Sequence, residues 1–81
     1  MEIEEIYEKI TPIFREVFDN DTLVIKSEMD ASHIDEWDSL THIRLIVSLE
    51  IEFGVKFDSQ EISELADVGA FAKLLQIKLD K

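Results

Sequence analysis

Ser39 is the residue on which chemistry could centre, with Asp38 before it and His42 one helical turn later. A serine, a histidine and a carboxylate together invite a hydrolase triad. These three cannot form one: neighbours on a single helix start do not reach the nucleophile–base–orienter geometry, and no glycine-rich oxyanion loop accompanies them. A different chemistry suits the position. Where Ser39 opens a helix, unpaired backbone N–H groups and the positive end of the helix dipole favour a phosphate. A phosphate ester on Ser39 Oγ would be well placed there. The plainer alternative is that the serine merely caps the helix. Asp38 can take that role, because its carboxylate accepts from the first free N–H groups, and Ser39 is then free to point outward.

The neighbours have plainer expectations. Trp37 is expected to anchor a loop on the core. His42 is expected to pack or hydrogen-bond near the core face, His33 to be an exposed loop residue, and Thr41 to be an ordinary first-turn residue. Between Lys26 and Arg44 lies no basic residue but a run of acids, Glu28, Asp30, Asp35, Glu36 and Asp38. Acidic helical chains of this size include calcium-binding proteins. The loop beginning at Asp19 lacks that pattern, with Leu23 at the fifth position and Val24 where a glycine is needed. The alternative to a serine-centred function is therefore an acidic protein-interaction or weak divalent-cation-binding helical module without a prosthetic group.

Elements must hold Ser39 in place, and composition limits which. The chain has 81 residues, with 19 acidic against 8 basic and a net charge of −11. One domain, 1–81, is expected at this length. The charge argues against binding nucleic-acid backbones or anionic membrane surfaces. The apolar runs Leu23-Val24-Ile25 and Leu45-Ile46-Val47 are too short to span a bilayer. The acidic start, Met1-Glu2-Ile3-Glu4-Glu5, does not resemble an export signal, so a cytoplasmic location is expected. There is no cysteine, hence no disulfide and no thiol of its own. Hydrophobic residues make up 46%, too many for a disordered acidic tail. Two glycines and one proline are too few for a many-stranded β fold. An all-α fold of packed amphipathic helices is the expectation.

Apolar residues recur at Ile3, Tyr7, Ile10, Phe14 and Val17, predicting helix I over about 2–18. Pro12 interrupts it, so a kink or brief break is expected there, with Thr11 as a possible new cap. Residues 19–37 have no period and read as a long loop, pinned by Leu23, Ile25, Met29 and Ile34. Helix II is predicted over 39–53, from Asp38 to the terminating Gly54. Its apolar residues form two faces. Leu45, Ile46, Leu49 and Phe53, with His42, suit a core. Leu40, Ile43, Val47 and Ile51 form a second strip, which either a short neighbouring helix covers or solvent and partners meet. Helix III is predicted over 59–65, and helix IV over 68–79 after the cap Asp67.

Asp38-Ser39-Leu40 resembles the Asp-Ser-Leu signature of acyl and peptidyl carrier proteins. The likeness covers nearly the whole chain. It includes the acidic loop and the run Leu45-Ile46-Val47-Ser48-Leu49-Glu50-Ile51-Glu52-Phe53-Gly54-Val55, similar to the family's helix II. The resemblance implies a small antiparallel four-helix bundle with a short third helix, expected to be monomeric. It implies that Ser39 receives 4′-phosphopantetheine from coenzyme A through a separate, Mg²⁺-dependent phosphopantetheinyl transferase. The arm's thiol would then carry an acyl, aminoacyl or peptidyl thioester, and the chain itself would catalyse nothing. Partners would be that transferase, a loading enzyme and a downstream transferase or synthase. Leu40, Ile43 and Val47 match the family's partner-facing positions, and Asp38, Glu50, Asp35 and Glu36 its acidic rim. Arg44 and Ile51 replace frequent acids, and Trp37 a small residue. These departures resemble stand-alone bacterial carriers of specialised pathways.

Overall fold

The computed structural model describes residues 2–80; Met1 and Lys81, the ends of the expected domain, lie outside the described residues. Four helices follow in order: α1 (Ile3–Val17), α2 (Ser39–Phe53), α3 (Ser59–Ser63) and α4 (Val68–Leu79). They form a small all-α bundle in which α1 packs on both α2 and α4. No helix among the described residues is long and apolar enough to cross a membrane.

The core is built from one stripe of each long helix. α1 contributes Ile6, Ile10, Phe14 and Val17, α2 contributes Leu45, Ile46 and Leu49, and α4 contributes Val68, Phe71, Ala72 and Leu75. Burying each large member stabilises the fold by ~1.5–3 kcal/mol, which is what holds such short helices together. Phe14 is the hub. Phe18, Trp37 and Phe71 meet it edge-on, with centroids at 5.8, 6.0 and 5.9 Å, the arrangement ring quadrupoles prefer.

α1 runs continuously through Pro12, so the break that the sequence allowed is absent. Thr11 is a helix-interior residue, and its Oγ1 donates to the Tyr7 carbonyl at 2.6 Å. Pro12 removes only the bond to the Glu8 carbonyl, and both residues lie on the exposed side, where solvent replaces the lost donor. The helix ends where Asp19 takes φ 52, a left-handed turn that Asp tolerates.

The long loop is fixed at several points. Leu23, Ile25, Ile34 and Trp37 are buried, and Met29 packs against the core. Arg15 Nε donates to the Leu23 carbonyl at 2.8 Å. The loop also completes the start of α4. Val68 N–H donates to the Met29 carbonyl at 3.0 Å, Gly69 N–H to the Ser27 carbonyl at 2.9 Å, and Ala70 N–H to Asp67 Oδ1 at 2.8 Å. Three donors that a helix start leaves unpaired are thereby satisfied. The approach at Gly69 is close enough that a Cβ there would sit 3.0 Å from the Ser27 carbonyl oxygen.

α3 ends at Ser63 and not at Leu65. Ser63 Oγ donates to the Gln60 carbonyl at 2.7 Å, taking an acceptor from the helix ladder, and the chain then turns Leu65 into the core. Phe57, between α2 and α3, is also buried, and Lys78 Nζ lies 5.5 Å from its ring centre.

Candidate functional site

Ser39 is the first residue of α2. Its side chain is exposed, and its hydroxyl has no hydrogen-bond partner among the described residues. Asp38 supplies the cap, as Thr41 N–H donates to its Oδ1 at 2.9 Å. The Thr41 N–H above all, helped by the Thr41 hydroxyl and the Leu40 N–H, holds the Asp38 carboxyl below the ordinary Asp range. Thr41 does more than the sequence suggested. Its Oγ1 accepts from Asp38 N–H at 2.8 Å and donates to the Glu36 carbonyl at 2.7 Å. This reciprocal capping box fixes the backbone on both sides of Ser39. A threonine three residues after the cap was the available signal.

Trp37, just before this box, is buried among Phe14, Phe18 and Phe71. Its Nε1–H donates to His42 Nδ1 at 3.1 Å, and the two rings stack with 22° between their planes. His42 thus commits Nδ1 to Trp37 while Asp38 commits Oδ1 to Thr41. No relay joins either residue to Ser39, and the triad excluded from the sequence is excluded by geometry.

A groove of about 530 Å³ opens beside the serine. Asp38, Ser39, His42 and Ile43 line one side of it, with Trp37 at its base. Ala31 from the loop and Leu65-Ala66 from the α3–α4 connection line the other side. Those three residues carry no sequence signal for a site: two are alanines and the third reads as core. An exposed hydroxyl at a helix start, open to a groove and free of internal bonds, fits esterification by a phosphate-bearing arm.

The second strip of α2 is uncovered. Leu40, Ile43, Val47 and Ile51 are 70%, 52%, 46% and 78% exposed, so no neighbouring helix shields them. Arg44, Asp35 and Glu36 are exposed beside or before it. Glu50 differs from the other acids. It is half-buried, and its Oε2 accepts from Phe57 N–H at 2.9 Å, tying α2 to the connection before α3. Among the described residues no group of three His, Asp or Glu side chains is arranged to hold a metal ion.

No family model matches the chain. An acyl carrier protein of Thermotoga maritima is 33% identical over 78 residues, covering 94% of each sequence. The chain belongs to the acyl carrier protein family. A solution NMR structure of a holo acyl carrier protein from Geobacter metallireducens shares the carrier fold, with a TM-score of 0.86. It is 47% identical to this chain, and the match covers 91% of this chain and 85% of that one. As a member of the acyl carrier family, this chain is a carrier and not a catalyst.

Proposed function

We propose that this carrier holds acyl groups as thioesters on a 4′-phosphopantetheine arm esterified to Ser39 Oγ. One observation carries the reading: in a chain of this family, an exposed serine with no internal hydrogen bond opens α2 beside a groove. When bound, the arm supplies the thiol that a sequence without cysteine lacks.

The chain's own residues present the hydroxyl and receive the enzymes. Asp38 caps the helix, so Ser39 need not turn back onto it. Thr41 and Trp37 hold the loop end still, so the hydroxyl is offered from a fixed backbone. Leu40, Ile43 and Val47 form the apolar contact for a phosphopantetheinyl transferase, a loading enzyme and a downstream transferase or synthase. Asp35, Glu36 and the outer part of Glu50 steer basic surfaces toward it. Charge complementarity of this kind raises encounter rates more than affinity, which suits a carrier that must release each partner. Residues 1–81 act as one carrier domain, monomeric and cytoplasmic. Trp37, Arg44 and Ile51 point to a specialised pathway served by its own enzymes.

The test is incubation with coenzyme A, Mg²⁺ and a broad-specificity transferase, followed by intact mass. The wild-type chain should gain one arm and Ser39→Ala none. An arm on another serine, or none on the wild type, overturns the assignment.

A further inference from the structure

We propose that His42, locked in one tautomer by Trp37, is the positioning residue for the phosphodiester at Ser39, to which it presents a neutral Nε2–H donor. This rests on the carrier reading above and adds to it a residue that orients the base of the arm.

The indole N–H of Trp37 can only donate. Its 3.1 Å contact with His42 Nδ1 therefore requires a lone pair there, and the neutral ring carries its proton on Nε2. Trp37 cannot turn to follow another arrangement, because it is 6% exposed and wedged between Phe14 and Phe18. Phe71 holds the His42 ring from the α4 side, edge-on at 5.6 Å. Aromatic packing thus holds both rings of the pair in place.

Nε2 is the ring nitrogen left without a bond. It has no hydrogen-bond partner among the described residues, yet no buried polar atom there lacks one, so Nε2 is accessible. His42 lines the same groove as Ser39. Side chains three residues apart on a helix are neighbours, with Cβ atoms ~5–6 Å apart. A group esterified on Ser39 therefore lies within reach of the imidazole.

The surroundings leave a role for such a donor. The helix-start N–H of Thr41 already serves the Asp38 carboxylate, and that of Leu40 faces it too. Asp38 also places a negative charge beside any phosphate on Ser39. A neutral N–H one helical turn along the same wall gives the diester a directional hydrogen bond without tying the arm down by an ion pair.

The test uses the full chain with its histidines isotopically labelled at nitrogen, compared before and after loading and checked by intact mass. In the unloaded protein, nitrogen NMR should show His42 protonated on Nε2 and not on Nδ1. On loading, the His42 Nε2–H signal should shift and its exchange with solvent should slow several-fold, while His33 stays unchanged. Phosphorus NMR should show the diester resonance displaced in His42→Leu and restored toward wild type in His42→Gln, whose amide keeps a donor. Trp37→Phe, which keeps an aromatic ring at the site and removes the N–H, should release the second tautomer and displace the same resonance. A wild-type His42 protonated on Nδ1, or an Nε2–H signal unmoved by loading, overturns the proposal and leaves the carrier reading standing. Failure of Ser39 to accept the arm overturns both.

Discussion

The indole N–H of Trp37 and Nδ1 of His42 meet at 3.1 Å, a bond that fastens the end of the long loop to α2. It lies near the serine, so loop stability and site geometry are linked through this contact as well as through Thr41. Trp37→Phe should keep one buried aromatic ring while losing this bond and part of the indole's packing, lowering stability by ~1–2 kcal/mol. Trp37→Ala should remove the ring as well and cost ~3–5 kcal/mol. Urea denaturation separates the two; equal losses would mean that the ring adds nothing beyond its N–H bond, and an unchanged Trp37→Phe that the bond contributes nothing.

From beyond Ser39, Thr41 Oγ1 bonds back to Asp38 N–H and to the Glu36 carbonyl. Thr41→Val preserves shape and removes both contacts, so a loss of ~1–2 kcal/mol is expected. Amide exchange should then accelerate at Asp38 and Ser39 but not in α1. Uniform acceleration across the chain would contradict a local role.

Acid should act on the caps. The Thr41 N–H holds the folded Asp38 carboxyl below its ordinary value, and Ser32, through its hydroxyl and its N–H, does the same for Asp30. A carboxyl whose folded value lies below its unfolded one adds stability above the unfolded value, about 3.9. That stability is lost as pH falls through the folded value. The Asp30→Asn, Asp38→Asn double variant keeps the capping geometry without the titration. Its melting temperature should fall less steeply below about pH 4 than that of the wild type. Superimposable acid limbs would show that other carboxylates dominate.

The acids around α2 should separate by role. Glu50→Ala leaves Phe57 N–H, in a half-buried setting, without its acceptor and should cost ~1–3 kcal/mol. Asp35→Asn and Glu36→Gln lie on the exposed loop and should change stability by less than ~0.5 kcal/mol. Those two should instead slow modification by the transferase at low salt, with the difference fading as salt rises. Salt-independent slowing would argue against steering.

Leu40 and Val47 should tolerate arginine without unfolding, since both are exposed. Each substitution should leave the circular dichroism melt unchanged while reducing phosphopantetheine transfer. A lowered melting temperature would show that the strip has a packing role in solution.

Much of this molecule is determined by short-range pattern. The stripe from Ile3 to Val17, the caps Asp38 and Asp67, and Gly54 with its left-handed φ of 65 act over one or two helical turns, so residue spacing alone registers them. Ser39 at a helix start follows from the same local logic. Tertiary structure decided what the local pattern left open. It left the strip from Leu40 to Ile51 uncovered, carried α1 through Pro12, and stopped α3 at Ser63 so that Leu65 could enter the core. It also brought Ala31, Leu65 and Ala66 around Ser39, set Trp37 against His42, and joined Ser27 and Met29 to the start of α4. Those contacts link segments far apart in the chain and follow no period. They depend on how the loop buries its few apolar residues between helices, which becomes defined only once the bundle has formed around Phe14.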